Sequence, residues 1–358
     1  GINALQLYSG NPVKTLLTPL MYGRRTVNNG GTNGDRIIVY VTAALGIVYD
    51  FANHIQYYFE GHTDDISCFA MSNVIPYLVD PEGNPEAAYD RQLVASGEMG
   101  SNPHICVWEP WPDSTGTCKL VARIGEGYLK RGVCAVSFSP DVKYVCGISC
   151  DDKHSIAIWN LQGQLIVENV SYPGIPPAVK SIIWSQVGNQ DTHYVFADEN
   201  NQDGCDVLCT VGERHIKFWA FKRPTATGGH LSASFHSKLA RYGSKFQNNS
   251  PALYLCVESL DAHYMKSVNN GTKDYPNVPI AAGADNGSLY LFVNGVCGQA
   301  LSLFKGATPT SGVNGNVRTL GVCCMQVTGD SIYCGGSTGE VKVVDCNSFS
   351  VVKTISVS

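Results

Sequence analysis

The residues able to do chemistry in this 358-residue chain are numerous but scattered. There are 9 histidines, 14 cysteines and 30 acidic residues. None of them falls in a Gly-x-Ser-x-Gly, HExxH or P-loop pattern. The glycine-rich stretch 125–132 does not precede a predicted helix, which argues against phosphate binding there. We therefore expect no catalytic residue, no cofactor and no enzymatic activity.

The cysteines do not follow the spacing of a metal or redox motif. Their closest pairs in sequence are Cys146/Cys150, Cys205/Cys209 and the adjacent Cys323/Cys324. Zinc ribbons and redox sites use two-residue gaps, and no CxxC pair is present. Most of the cysteines lie among apolar β-forming residues, where cysteine behaves as a small buried hydrophobe. We expect reduced thiols of a cytosolic protein, with no disulfide and no bound metal.

Charge is the remaining functional signal. The net charge is −5, which argues against general nucleic-acid binding. Residues 1–34 nevertheless carry three Lys/Arg and no acid, and residues 212–245 carry seven Lys/Arg and one acid. Basic patches on an acidic body attract an acidic partner. The candidate contacts are Arg24, Arg25, Lys222, Arg223, Lys238, Arg241 and Lys245. The alternative, that these are ordinary solvated charges or pack against the protein, remains open from the sequence.

An internal repeat supplies the elements that must position these residues. Each copy has a small-residue strand, a polar turn, and alternating apolar residues closed by an apolar anchor. The copies are 95–109, 146–160, 208–220, 281–293 and 334–345, with a shorter one at 41–50. The anchors are Tyr49, Trp108, Trp159, Trp219, Phe292 and Val344. We expect all six side chains to be buried between neighbouring units.

Period-two alternation makes these segments strands, three or four antiparallel ones per repeat. One such unit cannot bury its own faces, whereas a radial stack of units can. The sequence therefore predicts an all-β propeller with loop insertions and six recognisable blades, or seven if the N-terminal segment contributes strands. Short helical turns are expected at 85–93 and 235–246. The longest charge-free apolar run, 37–49, is shorter than the ~20 residues of a membrane-spanning helix.

Two levels of resemblance follow from the motifs. Gly61-His62, followed by Trp108-Glu109, is similar to the WD repeat, in which the His and Trp join a hydroxyl and a turn Asp in a hydrogen-bonded brace. The resemblance assigns His62, Trp108, Trp159 and Trp219 a structural role. The longer segments 59–70, 93–110 and 211–219, with Tyr22-Gly23-Arg24 upstream, resemble the echinoderm microtubule-associated protein-like family.

That resemblance implies a domain plan and a function. Residues 1–35 would be a HELP-like segment that packs on the propeller, and 36–358 the first of two tandem WD-repeat propellers, the second being absent from this chain. The implied role is a non-catalytic scaffold that binds tubulin, microtubules and other cytoskeletal or axonemal proteins, but neither nucleic acid nor membrane. The implied location is the cytoplasm, its microtubule cytoskeleton or a ciliary axoneme. The alternative is a generic cytosolic WD-repeat adaptor that binds peptides.

Overall fold

The structure is a computed structural model in which part of the chain is described. The described residues are 21–25, 35–50, 53–73, 92–112, 116–170, 178–185, 205–227, 230–243, 251, 253–260, 278–304, 321–336 and 339–356. The side chains of 21–25, 35–36 and 225–232 are outside this description. All statements below concern the described part.

The described residues form six β-sheets of successive strands, which are the blades of a β-propeller. Blade 1 contains β1 (Met21–Arg25), β2 (Asp35–Thr42), β3 (Leu45–Asp50) and β4 (Ile55–Phe59). Blade 2 contains β5 (Ile66–Met71), β6 (Val94–Glu98), β7 (Ile105–Pro112) and β8 (Cys118–Ile124). Blade 3 contains β9 (Val133–Phe138), β10 (Tyr144–Ser149), β11 (Ser155–Asn160) and β12 (Leu165–Val170).

The remaining three blades follow the same order. Blade 4 contains β13 (Val179–Trp184), β14 (Asp206–Gly212), β15 (His215–Thr227) and β16 (His230–Leu239). Blade 5 contains β18 (Tyr254–Ser259), β19 (Pro279–Ala284), β20 (Ser288–Val293) and β21 (Val296–Ser302), and the two-residue strand β17 (Arg241–Tyr242) pairs in parallel with β21. Blade 6 contains β22 (Val322–Thr328), β23 (Ser331–Gly336), β24 (Glu340–Asp345) and β25 (Ser350–Ser356). The all-β, six-bladed prediction is confirmed.

The innermost strands hold the blades in sequence around the propeller. β1 contacts β5, and contacts then run from β5 to β9, β13, β18 and β22. Within each blade the chain passes outward strand by strand, so the second and third strands are covered on both faces. Strands β6, β14 and β19 are accordingly buried at every position. This explains why they read as runs of small and apolar residues rather than as strict alternation.

Five of the six predicted anchors lie at equivalent, buried positions. Trp108, Trp159, Trp219, Phe292 and Val344 are each at most 2% exposed and each pairs with a fully buried residue of the second strand. Tyr49 is the exception, because it is half-exposed and its neighbour Val48 takes the buried place opposite Val39.

The blades differ in the pairing of their outermost strand near this position. In blades 2, 3, 5 and 6 the pairing between the third and fourth strands shifts register at the anchor, whereas blades 1 and 4 have no shift there. Trp219 of blade 4 is buried without a shift, so the bulge does not explain why Tyr49 is half-exposed. Because successive residues of a strand face opposite sides, the anchor of blade 1 is Val48 rather than Tyr49.

The helical turn expected at 235–246 is wrong where the structure describes it. Residues 230–239 form strand β16, and 241–242 form β17. Phe235 pairs with Phe221 and stacks on Trp219, so its burial comes from a sheet rather than from a helix face. Most of the other expected turn, residues 85–91, lies outside the described residues. No helix that could span a bilayer occurs in the described part of the chain.

Buried apolar clusters lie between blades 1 and 2, 2 and 3, 3 and 4, 4 and 5, and 5 and 6. Among the described residues no such cluster joins blade 6 to blade 1. The flanks that face that seam carry exposed apolar and aromatic side chains. Tyr58 of blade 1 is 44% exposed, Tyr333 of blade 6 is 41% exposed, and every residue of β25 is exposed. We call this the open seam.

Candidate functional site

The antiparallel strand order gives the propeller two faces. The upper face carries the connections from the fourth strand of one blade to the first strand of the next, together with the turns between second and third strands. The lower face carries the two remaining types of turn. This assignment follows from the order β5 to β8, β9 to β12 and their equivalents.

Blade 2 contains a complete hydrogen-bonded brace at its upper end. The Trp108 indole Nε1 donates to the Ser96 hydroxyl at 2.9 Å, and that hydroxyl lies 2.7 Å from His62 Nε2. His62 Nδ1 in turn lies 3.1 Å from a carboxylate oxygen of Glu98. Glu98 thus does what the turn Asp does in the WD repeat. All of these side chains are buried.

Blade 4 contains a second brace that the sequence reading missed. The Trp219 indole Nε1 donates to Thr210 Oγ1 at 2.9 Å, and Thr210 Oγ1 lies 2.7 Å from His215 Nε2. The histidine comes from the start of β15 rather than from a Gly-His before the first strand. The sequence did contain a signal for this brace: His215 directly follows the Glu213–Arg214 turn, which places it beside the second strand.

Burial keeps both brace histidines neutral. It lowers the pKa of His62 to about 4, against an opposing effect of Glu98, and it lowers the pKa of His215 to about 4, with Lys217 and His154 acting in the same direction. A neutral ring can accept the hydroxyl proton at Nε2 while the hydroxyl oxygen accepts the indole N–H. The two braces therefore fix the strands through groups that do not titrate near neutral pH.

Lys238 and Arg241 are the predicted contacts that the structure exposes. Lys238 lies near the upper end of β16, and Arg241 opens β17 on the outer edge of blade 5. Lys238 therefore belongs to the upper face, whereas Arg241 pairs with Val296 and its amide donates to Gly295, in the turn between the third and fourth strands of blade 5. Residues 214–243 contain six Lys/Arg and no Asp or Glu. Because both residues lie on outermost strands, we call Lys238 and Arg241 the outer basic patch.

Arg223, by contrast, forms ion pairs within the protein. Its Nε donates to Asp206 at 2.8 Å, and its Nη1 donates to Asp141 of blade 3 at 2.5 Å. Its guanidinium also lies over the Tyr144 ring. The side chain of Arg223 is 22% exposed and that of Asp206 is 4% exposed. Arg223 thus ties blade 4 to blade 3.

The other predicted contacts lie apart from the outer basic patch. Lys222 is half-buried, and it pairs with Ser234 while Lys238 pairs with Phe218, four residues or about 13 Å away along the hairpin. Arg24 and Arg25 end strand β1 at the lower face of blade 1, and their side chains are outside the description. Lys245 lies outside the described residues.

A cleft of about 670 Å³ opens on the upper face of blade 3. Its charged lining residues are three bases and three acids, namely Lys130, Arg131, Lys153, Asp151, Asp152 and Glu168. The exposed pair Arg131 and Asp152 is already joined by an ion pair. Among the described residues, the lining contains neither cysteine nor histidine.

All fourteen cysteines carry free thiols in the structure. Burial raises the pKa of most of them, for example of Cys106 to about 11. Such thiols are poor nucleophiles at neutral pH. They act mainly as small packing residues.

With this geometry in hand, the chain can be compared with known proteins. No family model matches it. It is 27% identical over 62% of its length to the ciliary WD repeat-containing protein ctxp80 of Euplotoides octocarinatus. It is 23% identical over 66% of its length to echinoderm microtubule-associated protein-like 2 of Rattus norvegicus, and 24% identical to the Homo sapiens protein. The chain is similar to the echinoderm microtubule-associated protein-like proteins.

The resemblance carried by segments 59–70, 93–110 and 211–219 is thereby confirmed. The match spans 26% of the ctxp80 protein and 30% of the rat protein, so the chain covers less than a third of these relatives. Their names indicate no enzymatic family. Among solved structures, the chain is similar to the computationally designed Ika8 protein, with TM-score 0.45 and 12% identity over 89% of this chain and 83% of that one.

Proposed function

We propose that this chain is a non-catalytic WD-repeat scaffold that binds microtubules through the outer basic patch. The observation that carries the proposal is the similarity to relatives named as microtubule-associated and ciliary proteins. The exposed Lys238 and Arg241, in a segment with no acidic residue, supply the matching chemistry. Tubulin is acidic, so its surface would attract this patch. The corresponding location is the microtubule cytoskeleton or a cilium.

The energetics require several weak contacts rather than one strong one. An exposed ion pair contributes about 0.2–1 kcal/mol, and its attraction is screened beyond about 8–10 Å. Lys245 extends the same basic run and is part of the proposed contact. Arg24 and Arg25 form the second candidate surface, at the lower face.

We propose that residues 1–35 pack on the propeller formed by residues 36–358. We also propose that the scaffold binds other cytoskeletal proteins, but neither nucleic acid nor membrane.

Co-sedimentation with microtubules tests the proposal. The wild-type chain should pellet with microtubules at low salt and dissociate as salt rises. Lys238→Glu with Arg241→Glu should weaken the apparent affinity about tenfold and flatten the salt dependence. The matched control is Lys119→Glu with Lys353→Glu, which makes the same charge change at exposed residues of blades 2 and 6. This control should bind like the wild type apart from a small non-specific loss.

The two ways to fail are distinguishable. If the wild type does not pellet at any salt concentration, microtubule binding itself is refuted. If it pellets and the Lys238/Arg241 variant binds as well as the control, the outer basic patch is not the contact, and the same reversal at Arg24 and Arg25 is the next comparison.

The second candidate function is a peptide-binding adaptor, and the cleft on blade 3 favours it. Its volume falls within the range of ligand pockets, and its mixed charges suit a short polar segment. Lys153→Glu with Lys130→Glu should then abolish binding of the partner peptide without changing microtubule co-sedimentation.

A further inference from the structure

Five polar side chains outside the proposed contact surface lie together at the upper end of blade 2. Ser96 and Glu98 project from β6, and Cys106, which pairs with Ser96, projects from β7. The residue opposite Glu98 is His104, whose backbone oxygen accepts from the Glu98 amide. His62, from the connection between β4 and β5, covers this ladder. All five side chains are at most 8% exposed.

Glu98 orients both imidazole rings. One of its oxygens lies 3.1 Å from His62 Nδ1, and the other lies 2.6 Å from His104 Nδ1. The two rings stack with centroids 5.5 Å apart and planes 20° from parallel. When Nδ1–H is donated to a carboxylate, the Nε2 lone pair is left facing away from it. This carboxylate–histidine arrangement is the one that orients metal-ligating histidines in proteins.

The lone pair of His104 Nε2 has no hydrogen-bond partner in the described part of the structure, although the residue is 3% exposed. Buried nitrogens without a partner are rare and call for an explanation. The Cys106 sulfur, a ring nitrogen of His62 and a ring nitrogen of His104 all lie within 4.8 Å of one another. Imidazole nitrogen and cysteine sulfur are the preferred ligands of zinc.

We propose that His104 Nε2, Cys106 Sγ and His62 Nε2 bind one zinc ion at the upper end of blade 2, with Glu98 as the residue that positions both rings. Tetrahedral zinc holds its ligand atoms about 3.5 Å apart, so the three side chains close inward by about 1 Å. The Cys106 thiol releases its proton to the solvent as the zinc–sulfur bond forms. The Ser96 hydroxyl leaves His62 Nε2 and keeps the hydrogen bond from Trp108.

The site supplies two negative charges and lies beside the positive charge of Arg123. The thiolate of Cys106 and the carboxylate of Glu98 together neutralise a divalent ion. Arg123, opposite Cys106 on β8, is tied to the Gly61 carbonyl by its Nη2 at 2.9 Å. Cysteine spacing could not have revealed this site, because its residues are spread from 62 to 106 and include only one cysteine. The expected absence of metal rested on that spacing alone.

Cobalt provides the test, since its bond to a thiolate gives a charge-transfer absorption in the near ultraviolet. The metal-free full chain should bind one equivalent of Co²⁺ with this band, and zinc should displace it. Cys106→Ser should lose the band. Cys118→Ser, at a buried cysteine on the same face of blade 2, should keep it. Glu98→Gln should weaken cobalt affinity about 10- to 100-fold.

The proposal is overturned if excess Co²⁺ gives no such band with the wild type, or if the band persists in Cys106→Ser. A band lost equally in Cys118→Ser overturns it as well. X-ray absorption of the zinc-loaded wild type avoids any dependence on variant folding. It should show one sulfur and two imidazole nitrogens around zinc, and a shell without sulfur contradicts the assignment.

Discussion

The brace of blade 4 makes the stability of the protein depend on pH through one buried histidine. Burial lowers the pKa of His215 from 6.5 to about 4 in the folded chain. In the unfolded chain this side chain returns to its ordinary value and binds a proton below pH 6.5. The unfolded state therefore holds more protons between about pH 6.5 and 4, and the free energy of unfolding falls as pH is lowered through this window.

The size of the effect follows from the shift in pKa. Each pKa unit corresponds to about 1.4 kcal/mol, so His215 alone should account for about 3 kcal/mol of lost stability across the window. His215→Gln keeps an acceptor for the Thr210 hydroxyl but cannot titrate. The variant should therefore lose about 3 kcal/mol less than the wild type between pH 7 and 4. His62 contributes equally in both proteins and cancels in the comparison.

Urea unfolding followed by tryptophan fluorescence, at a series of pH values between about 7 and 4, measures this difference. His236→Gln, at an exposed histidine of the same blade, serves as the control and should follow the wild-type profile. Parallel profiles for the wild type and His215→Gln would refute the reasoning. They would mean that the folded protein does not hold His215 neutral.

Two further predictions concern the remaining buried polar groups. Arg223→Ala should lower the free energy of unfolding by about 2 kcal/mol, because it leaves the buried Asp206 carboxylate without its ion-pair partner. The loss should be smaller than for a fully buried pair, because Arg223 is partly exposed. The control is Lys143→Ala, at an exposed lysine beside Asp141, which should change the free energy of unfolding by less than about 0.5 kcal/mol. An equal loss in both variants would contradict the role of Arg223 in joining blades 3 and 4. In thiol labelling of the folded protein, half-exposed Cys323 should react before buried Cys146 and Cys209, because burial shields these two thiols and raises their pKa values. Early labelling of Cys146 would show that the core opens.

The propeller was predictable because each repeat has apolar residues on both faces of its strands, and a radial stack of sheets can bury both faces. Trp108, Trp159 and Trp219 stand out in composition, so their equivalence could be recognised without any structure. Tyr49 could not be positioned in the same way. Val48 and Tyr49 are adjacent β-forming residues that face opposite sides of the strand, and the sequence does not show which of the two faces the neighbouring blade.

The candidate site was less predictable for two reasons. The segment from Lys222 to Lys245 reads as a flexible insertion, yet Lys222 and Lys238 lie on two strands of one extended hairpin. The ion pair between Arg223 and Asp141 of the neighbouring blade could not be predicted, because it depends on how the two blades pack. The cluster of His62, His104 and Cys106 likewise depends on contacts between strands, which spacing rules do not cover.

The open seam alters how cooperatively the molecule should unfold. In a circle of equal blades every unit loses two neighbours when it detaches, and no unit is a natural starting point. Here the described apolar clusters link the blades as a row, so blades 1 and 6 each have one such partner and the inner blades have two. Stability in such a row is a sum of units and nearest-neighbour terms. Unfolding should therefore begin at its two ends and proceed inward, leaving blades 3 and 4 among the last to separate.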